Sequence, residues 1–377
     1  MPRRLVTVRP ISAIEPISST NKTKSFATVG GWRVVVQTGT FKVGDIVVFF
    51  EIDAFLPATD DRFKKFEKRF FTFNTQLGFR VQTENPNPNI ISQGLIFPLK
   101  EFPEIRNALN THTDFHGKPA TTEWLKTEAC FEDLLGVTKF EKPPPFDARA
   151  LGQFPVAIIQ KTDIQRIQST SSNKIFEGWG NKVFQETTKM DGQSMTVFFV
   201  LKTHPACALL PGADGKNVFE NGRFGVCSKN QELKEESTSP LWRTANRLGL
   251  GAQLSRLGKS VAVQGELVGH NINQNREKFP VNEHDFFVFG AWDVEKQRRV
   301  PPRQVEGLAQ AIGAKHVPVV GYGILRDIAA NPLELEARVP TQKGYNGQRR
   351  EGLVFKEVNG ECQFKVIDKT YLLEHDE

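Results

Sequence analysis

Through the first hundred residues the apolar positions come in short β-forming runs: Leu5-Val6-Thr7-Val8, Trp32-Arg33-Val34-Val35-Val36, Ile46 to Asp53, and Gly94 to Leu99. Gly30-Gly31 and Gly44-Asp45 punctuate them, the pattern of a small barrel. Residues 101–140 read as helix and loop, with apolar patches at Trp124-Leu125 and Phe131 to Leu135. Pro143-Pro144-Pro145 can continue neither a helix nor a central strand, so the pattern predicts domains at 1–142 and 154–377 joined by a linker at 143–153. Beyond it, Lys161 to Gln168 predicts a short helix capped by Thr162 or Asp163. Residues 183–201 predict strand, turn and strand around Asp191-Gly192. A loose loop over 211–222 precedes a strand that runs through 224–227 into the polar turn Ser228-Lys229-Asn230. Leu241, Ala245, Leu248 and Leu254 recur at helical spacing between Ser239 and Leu257. Strands follow at 261–269, 285–294, 350–356 and 362–367, with a helix over 302–312. The fold class is α+β.

Composition narrows the class. The 377 residues are 39% hydrophobic and 24% charged, a globular balance, and the net charge of +6 is compatible with a polyanionic partner. No apolar run reaches the roughly 18 residues of a membrane span. Cys130, Cys207, Cys227 and Cys362 form no C-x-x-C pair, which argues against a zinc site and for a reduced, intracellular setting, cytoplasmic or nuclear; the basic N-terminus leaves a mitochondrial one open. His112 and His116 lack a third ligand in the pattern. The run Phe63 to Phe71 interleaves cations and phenylalanines. It reads as an amphipathic turn packed on the barrel, with nucleic-acid stacking as the alternative.

The chemistry gathers on a few residues. Lys189 precedes Asp191-Gly192 and should stand at the lip of a sheet. An exposed amine, with a pKa of about 10.4, is a poor nucleophile unless its surroundings favour the neutral form. Alone, Lys-x-Asp-Gly fits a surface hairpin equally well. Glu266 and Glu351 each sit in an otherwise apolar strand, where an acid must be paired, hydrogen-bonded or metal-bound unless it faces water. With Lys365 they make a plausible phosphoryl site, and Phe287 or Phe289 offers a flat face to a purine. No P-loop, G-x-S-x-G or H-E-x-x-H pattern is present.

Taken in order, these segments resemble the motifs of the covalent nucleotidyltransferases, the ATP-dependent ligases and capping guanylyltransferases. Lys189-Met190-Asp191-Gly192 is similar to the first motif, with the lysine as AMP acceptor. Gly225 to Asn230 resembles the next, with Lys229 where arginine is usual. Gln264-Gly265-Glu266-Leu267, Phe286 to Phe289, Glu351 to Lys356 and Phe364 to Leu372 resemble those that follow, although Gly290 stands where aspartate is usual. Lys161 to Gln168 and the β-rich N-terminus resemble the branch of RNA ligases that carries an N-terminal OB-fold module. The resemblance implies an OB-like domain before an antiparallel-sheet adenylylation domain. It implies an ATP-dependent RNA ligase that joins 3′-hydroxyl and 5′-phosphate ends through lysyl-AMP and an RNA-adenylate. It assigns Lys189, Lys365 and Lys369 to catalysis, Lys229, Glu266 and Phe289 to the nucleotide, and Glu351 with Glu266 to Mg²⁺ or Mn²⁺. The expected partner is RNA, as a nicked duplex or free ends, and the expected state a monomer. A GTP-using capping enzyme and a non-catalytic RNA-binding protein are the alternatives.

Overall fold

The computed structural model describes residues 4–17, 23–87, 90–111, 129–141, 149–167, 172–212, 218–235, 238–280, 283–341, 343–368 and 370–371. Trp124, His112, His116, Pro143 to Pro145, Gln168 and Lys369 lie outside them.

In the N-terminal region Val6–Pro16 is long enough to serve two sheet directions, pairing with Ile46–Phe50 and with Lys24–Val29. A register shift between Ile11 and Ala13 bends it between them. The resulting sheet runs Leu95–Pro98, Ile46–Phe50, Val6–Pro16, Lys24–Val29, Trp32–Gln37. It curls against a second sheet built on Ala54–Pro57 and Gln76–Arg80, giving an OB-like half-barrel. Phenylalanine is prominent in its core: Phe50 and Phe97 each lie within 6 Å of one another and of Phe63 and Phe102, in mostly edge-to-face pairs, the geometry ring quadrupoles favour.

The basic–aromatic run forms the 3-10 helix Asp61–Arg69, capped by the Asp60 carboxylate accepting from the Arg62 N–H. Phe63 is fully buried and Phe66 stacks on Phe79 at 4.4 Å, while Lys64 and Lys68 face solvent. The packed reading of this segment therefore holds for Phe63 and Phe66, whereas Phe71 at its end is exposed.

The C-terminal region is two antiparallel sheets facing each other. The larger runs Ala150–Gln153, Gln231–Leu233, Gly222–Cys227, Gln193–Leu201, Val261–Gly269, His284–Asp293, Arg298–Arg299. Because Ala150–Gln153 pairs with Gln231–Leu233, the last residues of the expected linker are part of this sheet. The smaller sheet runs Val319–Ile324, Val183–Lys189, Gly352–Glu357, Gln363–Ile367. The outer face of the larger sheet is covered by Pro240–Arg247, Leu250–Arg256 and Pro302–Ala311, which bury Trp242, Leu254 and Val305 against Val197, Val263 and Val288. The single helix expected over 239–257 is broken: Gly249 takes φ +62, a left-handed conformation that glycine adopts without a Cβ penalty, and re-aims the chain so both halves reach the sheet.

The segment 161–166 is not helical. Its backbone runs extended, with the Gln165 carbonyl accepting from the Lys365 N–H at 2.9 Å and Lys161 Nζ donating to Asn230 Oδ1 at 2.9 Å. An isolated helical turn is too short to be stable alone, so these tertiary bonds decide its conformation.

The packing of the basic–aromatic helix predicts a split in stability. Phe63→Ala should cost about 3–5 kcal/mol in urea unfolding, whereas Lys64→Ala and Lys68→Ala should each stay within about 0.5 kcal/mol of the parent.

Candidate active site

Val183–Lys189 and Gln193–Leu201 do not pair with each other. The first lies in the small sheet and the second in the large one, so Met190-Asp191-Gly192 is a corner between sheets and not a hairpin. Lys189 is thereby delivered to the cleft where the sheets face. Gly192 is required at this corner by space: a Cβ there would lie 2.3 Å from the Leu267 carbonyl oxygen and 2.8 Å from Glu266 Cγ.

The cleft has a volume of about 270 Å³. The small sheet contributes Lys189, Val354, Lys356 and Lys365; the large sheet and the turn after Gly222–Cys227 contribute Ser194, Glu266, Phe289 and Lys229; the extended strap contributes Thr162, Asp163 and Ile164. Phe289 from the large sheet and Val354 from the small one line it together with Ile164 and Met190, apolar surface suited to a flat ring. Phe287, the other aromatic candidate, is buried among Met190, Val268 and Phe279, so it is core. Lys189, Lys229, Glu266, Phe289 and Lys365 are thus brought together, and Glu351 joins them through Lys189.

Register fixes that last contact. Lys189 pairs with Gly352, so Glu351 sits beside it, and Lys189 Nζ donates to Glu351 Oε2 at 2.5 Å. Both side chains keep about a fifth of their surface exposed, 23% and 18%. Burial pushes the Lys189 ammonium toward neutrality, but Glu351, Glu266 and Asp191 outweigh it, so its pKa is held above the ordinary lysine value. Glu266 responds in the opposite sense: burial, together with Glu351 and Asp191, raises it to about 8 despite Lys189 nearby. Lys365 is lowered to about 7, first by burial and then by Lys189 and Arg166. Lys356 is lowered to about 7 by burial and by Arg299; its Nζ donates to the Phe289 carbonyl and ties one sheet to the other. The cleft is therefore charge-dense, with the nucleophile candidate Lys189 held protonated and Lys356 and Lys365 lowered to about 7.

Glu351 and Glu266 are the acids that could meet a divalent cation beside Lys189, and Asp163 also lines the cleft. Among the described residues no group of three acidic, histidine or cysteine side chains could hold one alone. Two carboxylates suit a hard cation that takes the rest of its shell from water and substrate phosphates. They do not make a closed structural site.

The sequence assigns several residues here no role in the cleft. Asp163, expected only as a helix cap, lines the cleft, and Lys139, Lys229 and Lys365 hold its pKa below the usual carboxylate value against the effect of burial. Asp191 accepts from Asn273 Nδ2 at 2.8 Å, Arg276 Nη1 at 3.3 Å and the Tyr371 hydroxyl. Glu277 is buried with neither carboxylate oxygen hydrogen-bonded to a side chain, and burial lifts it to about 8. Tyr371 lies within a segment resembling a known motif, but nothing in the sequence marks Asn273, Arg276 or Glu277.

An OB-like module followed by facing antiparallel sheets around a lysine–carboxylate cleft defines the architecture of an RNA-ligase-type nucleotidyltransferase. The RNA ligase family model matches residues 182–369, and an OB-fold domain model matches residues 5–99. Among solved structures, the chain is similar to mutants of an RNA ligase from Naegleria gruberi. A ligand-free mutant gives a TM-score of 0.76 at 30% identity, covering 99% of this chain and 98% of that one. A mutant with ATP and Mn gives 0.75 at 29% identity, and one with AMP and Mn gives 0.76 at 30%, each covering 99% of both chains. No curated protein sequence matches. The chain belongs to the RNA ligase family.

The ion pair makes a measurable prediction. In ¹³C-lysine NMR of the ligand-free protein, Lys189 should titrate above the ordinary value of about 10.4. In Glu351→Gln it should fall, because the strongest opposing charge is gone while burial remains. Equal values in the two proteins would contradict the arrangement.

Proposed function

We propose that this protein is an ATP-dependent RNA ligase that seals a 3′-hydroxyl to a 5′-phosphate through a lysyl-AMP intermediate. The observation that carries the reading is the position of Lys189: a lysine at the junction of two sheets, beside a purine-sized slot and between two acids, in a chain of this family. The neighbouring structures with ATP and Mn, and with AMP and Mn, support ATP and a divalent cation as its cofactors.

In this reading the adenine lies between Phe289 and Val354, and Glu266 meets the ribose. Lys229, Lys365 and Lys356 lie along the cleft to offset phosphate charge, with Lys369 assigned by motif alone. A divalent cation held partly by Glu351 and Glu266 would neutralise phosphate charge and compete for the carboxylates that keep Lys189 protonated. Lys189 must lose its proton before it can attack. Lys365, near neutrality in the empty cleft, is placed to take up a proton as anionic phosphates arrive. The neutral Lys189 amine then forms a bond to the α-phosphorus, and the bond to the bridging oxygen breaks, releasing pyrophosphate. An oxygen of the RNA 5′-phosphate next displaces lysine from AMP, returning the proton to Lys189. The RNA 3′-hydroxyl finally attacks that 5′-phosphorus, and AMP leaves. The OB-like module would hold the RNA, and a single chain carries every group the reading uses.

Incubation with α-³²P-ATP or α-³²P-GTP and Mg²⁺ or Mn²⁺, followed by denaturing electrophoresis, tests the first step. Label should come from ATP, and Lys189→Ala and Glu351→Ala should abolish it along with sealing of a nicked RNA. Label from GTP alone would move the protein to the capping class, and adduct persisting in Lys189→Ala would overturn the assignment.

A further inference from the structure

The connection between Val261–Gly269 and His284–Asp293 has an unusual backbone. Asn271, Asn273, Gln274, Asn275 and Lys278 all have φ between +42 and +63, so five non-glycine residues within eight positions are left-handed. Each such residue costs on the order of 1 kcal/mol or more, and a cluster persists only where the surroundings over-determine it. Asn275 supplies part of that determination by bonding the Phe279 N–H and carbonyl, both at about 2.9 Å. The Asn346 side chain adds a bond to the Glu277 carbonyl at 3.0 Å.

The loop presents two side chains to the corner, Asn273 and Arg276, and Asn273 is the one that bonds both Asp191 and Gly192. Asn273 Nδ2 donates to Asp191 Oδ1 at 2.8 Å and to the Gly192 carbonyl at 2.7 Å. Both partners are acceptors only, so the chemistry fixes which end of the amide faces them. Asp191 Oδ2 is taken by Arg276 at 3.3 Å and by the Tyr371 hydroxyl. The corner that carries Lys189 is thereby fastened from outside both sheets.

We propose that Asn273 is a positioning residue for the nucleophile: a strained loop holds its amide across Asp191 and Gly192, and this sets where Lys189 stands relative to the slot between Phe289 and Val354. The inference rests on the ligase reading for its consequence and on the corner alone for its geometry. A nucleophile displaced by about 1 Å loses about a hundredfold in rate without losing its substrate, because the slot and the phosphate-facing lysines are unchanged. Asn273→Ala removes both bonds from the amide to the corner and leaves those of Arg276 and Tyr371 to Asp191. Asn273→Asp keeps the shape but turns a carboxylate toward two acceptors.

Two measurements on the full chain decide it. In hydrogen–deuterium exchange without ligand, residues 187–194 should exchange at least about fivefold faster in both variants, with a melting temperature close to that of the parent. In single-turnover adenylylation, the maximal rate should fall by about tenfold or more in Asn273→Ala, and further in Asn273→Asp, while the ATP concentration for half-maximal rate stays within about twofold. Unchanged exchange at 187–194, an unchanged rate, or a loss carried wholly by weaker ATP binding would each overturn the proposal. If the parent protein takes up no AMP, the ligase reading fails and the exchange measurement still decides the clamp.

Discussion

The geometry of the cleft depends on one constraint: strands three residues apart in sequence belong to different sheets. A hairpin at Asp191-Gly192 would have placed Lys189 on an edge in water. As a corner, the same three residues send Val183–Lys189 to one jaw and Gln193–Leu201 to the other, and the only place Lys189 can stand is between them. The close approach at Gly192 and the tether of Asp191 serve this one junction, and the ion pair with Glu351 follows from the register of the next strand.

Electrostatics then set the resting state. Four lysines face a cleft of about 270 Å³, and Lys189 differs in protonation from Lys356 and Lys365. Lys189 keeps its proton because three acids surround it, while Lys356 and Lys365, with burial and other cations against them, lie near pH 7. The asymmetry is of the kind a polyanionic substrate would invert, since added negative charge raises the lysines it reaches and draws carboxylates into other partnerships.

Much of this was legible in the sequence because strand patterns and motif spacing are local. The strands at 183–201, 261–269 and 284–293 follow from β-branched and aromatic runs, and Lys189, Glu266, Phe289, Glu351 and Lys365 follow from where acids and cations interrupt them. What failed was decided at a distance. Residues 161–166 carry a plausible helix cap, yet they lie extended because Lys365 and Asn230 bond them. The 239–257 periodicity gives the buried face correctly but not the break at Gly249, where a left-handed backbone lets two short helices pack on the sheet. Asn273 looks like one polar residue among many in a loop, and only the fold puts it against Asp191.

The contacts that complete the cleft join distant parts of the chain. Lys189 meets Glu351 across 162 residues, and Asp191 meets Tyr371 across 180. During synthesis the N-terminal half-barrel can close early, because its strands lie near one another along the chain, whereas the smaller jaw lacks two of its strands until residues 352–367 have emerged. A ribosome-bound chain stalled before that point would carry its lysine without the acid beside it. The cleft is therefore completed in one step, when residues 351–367 join the smaller jaw, and any shorter chain would hold only its unpaired parts.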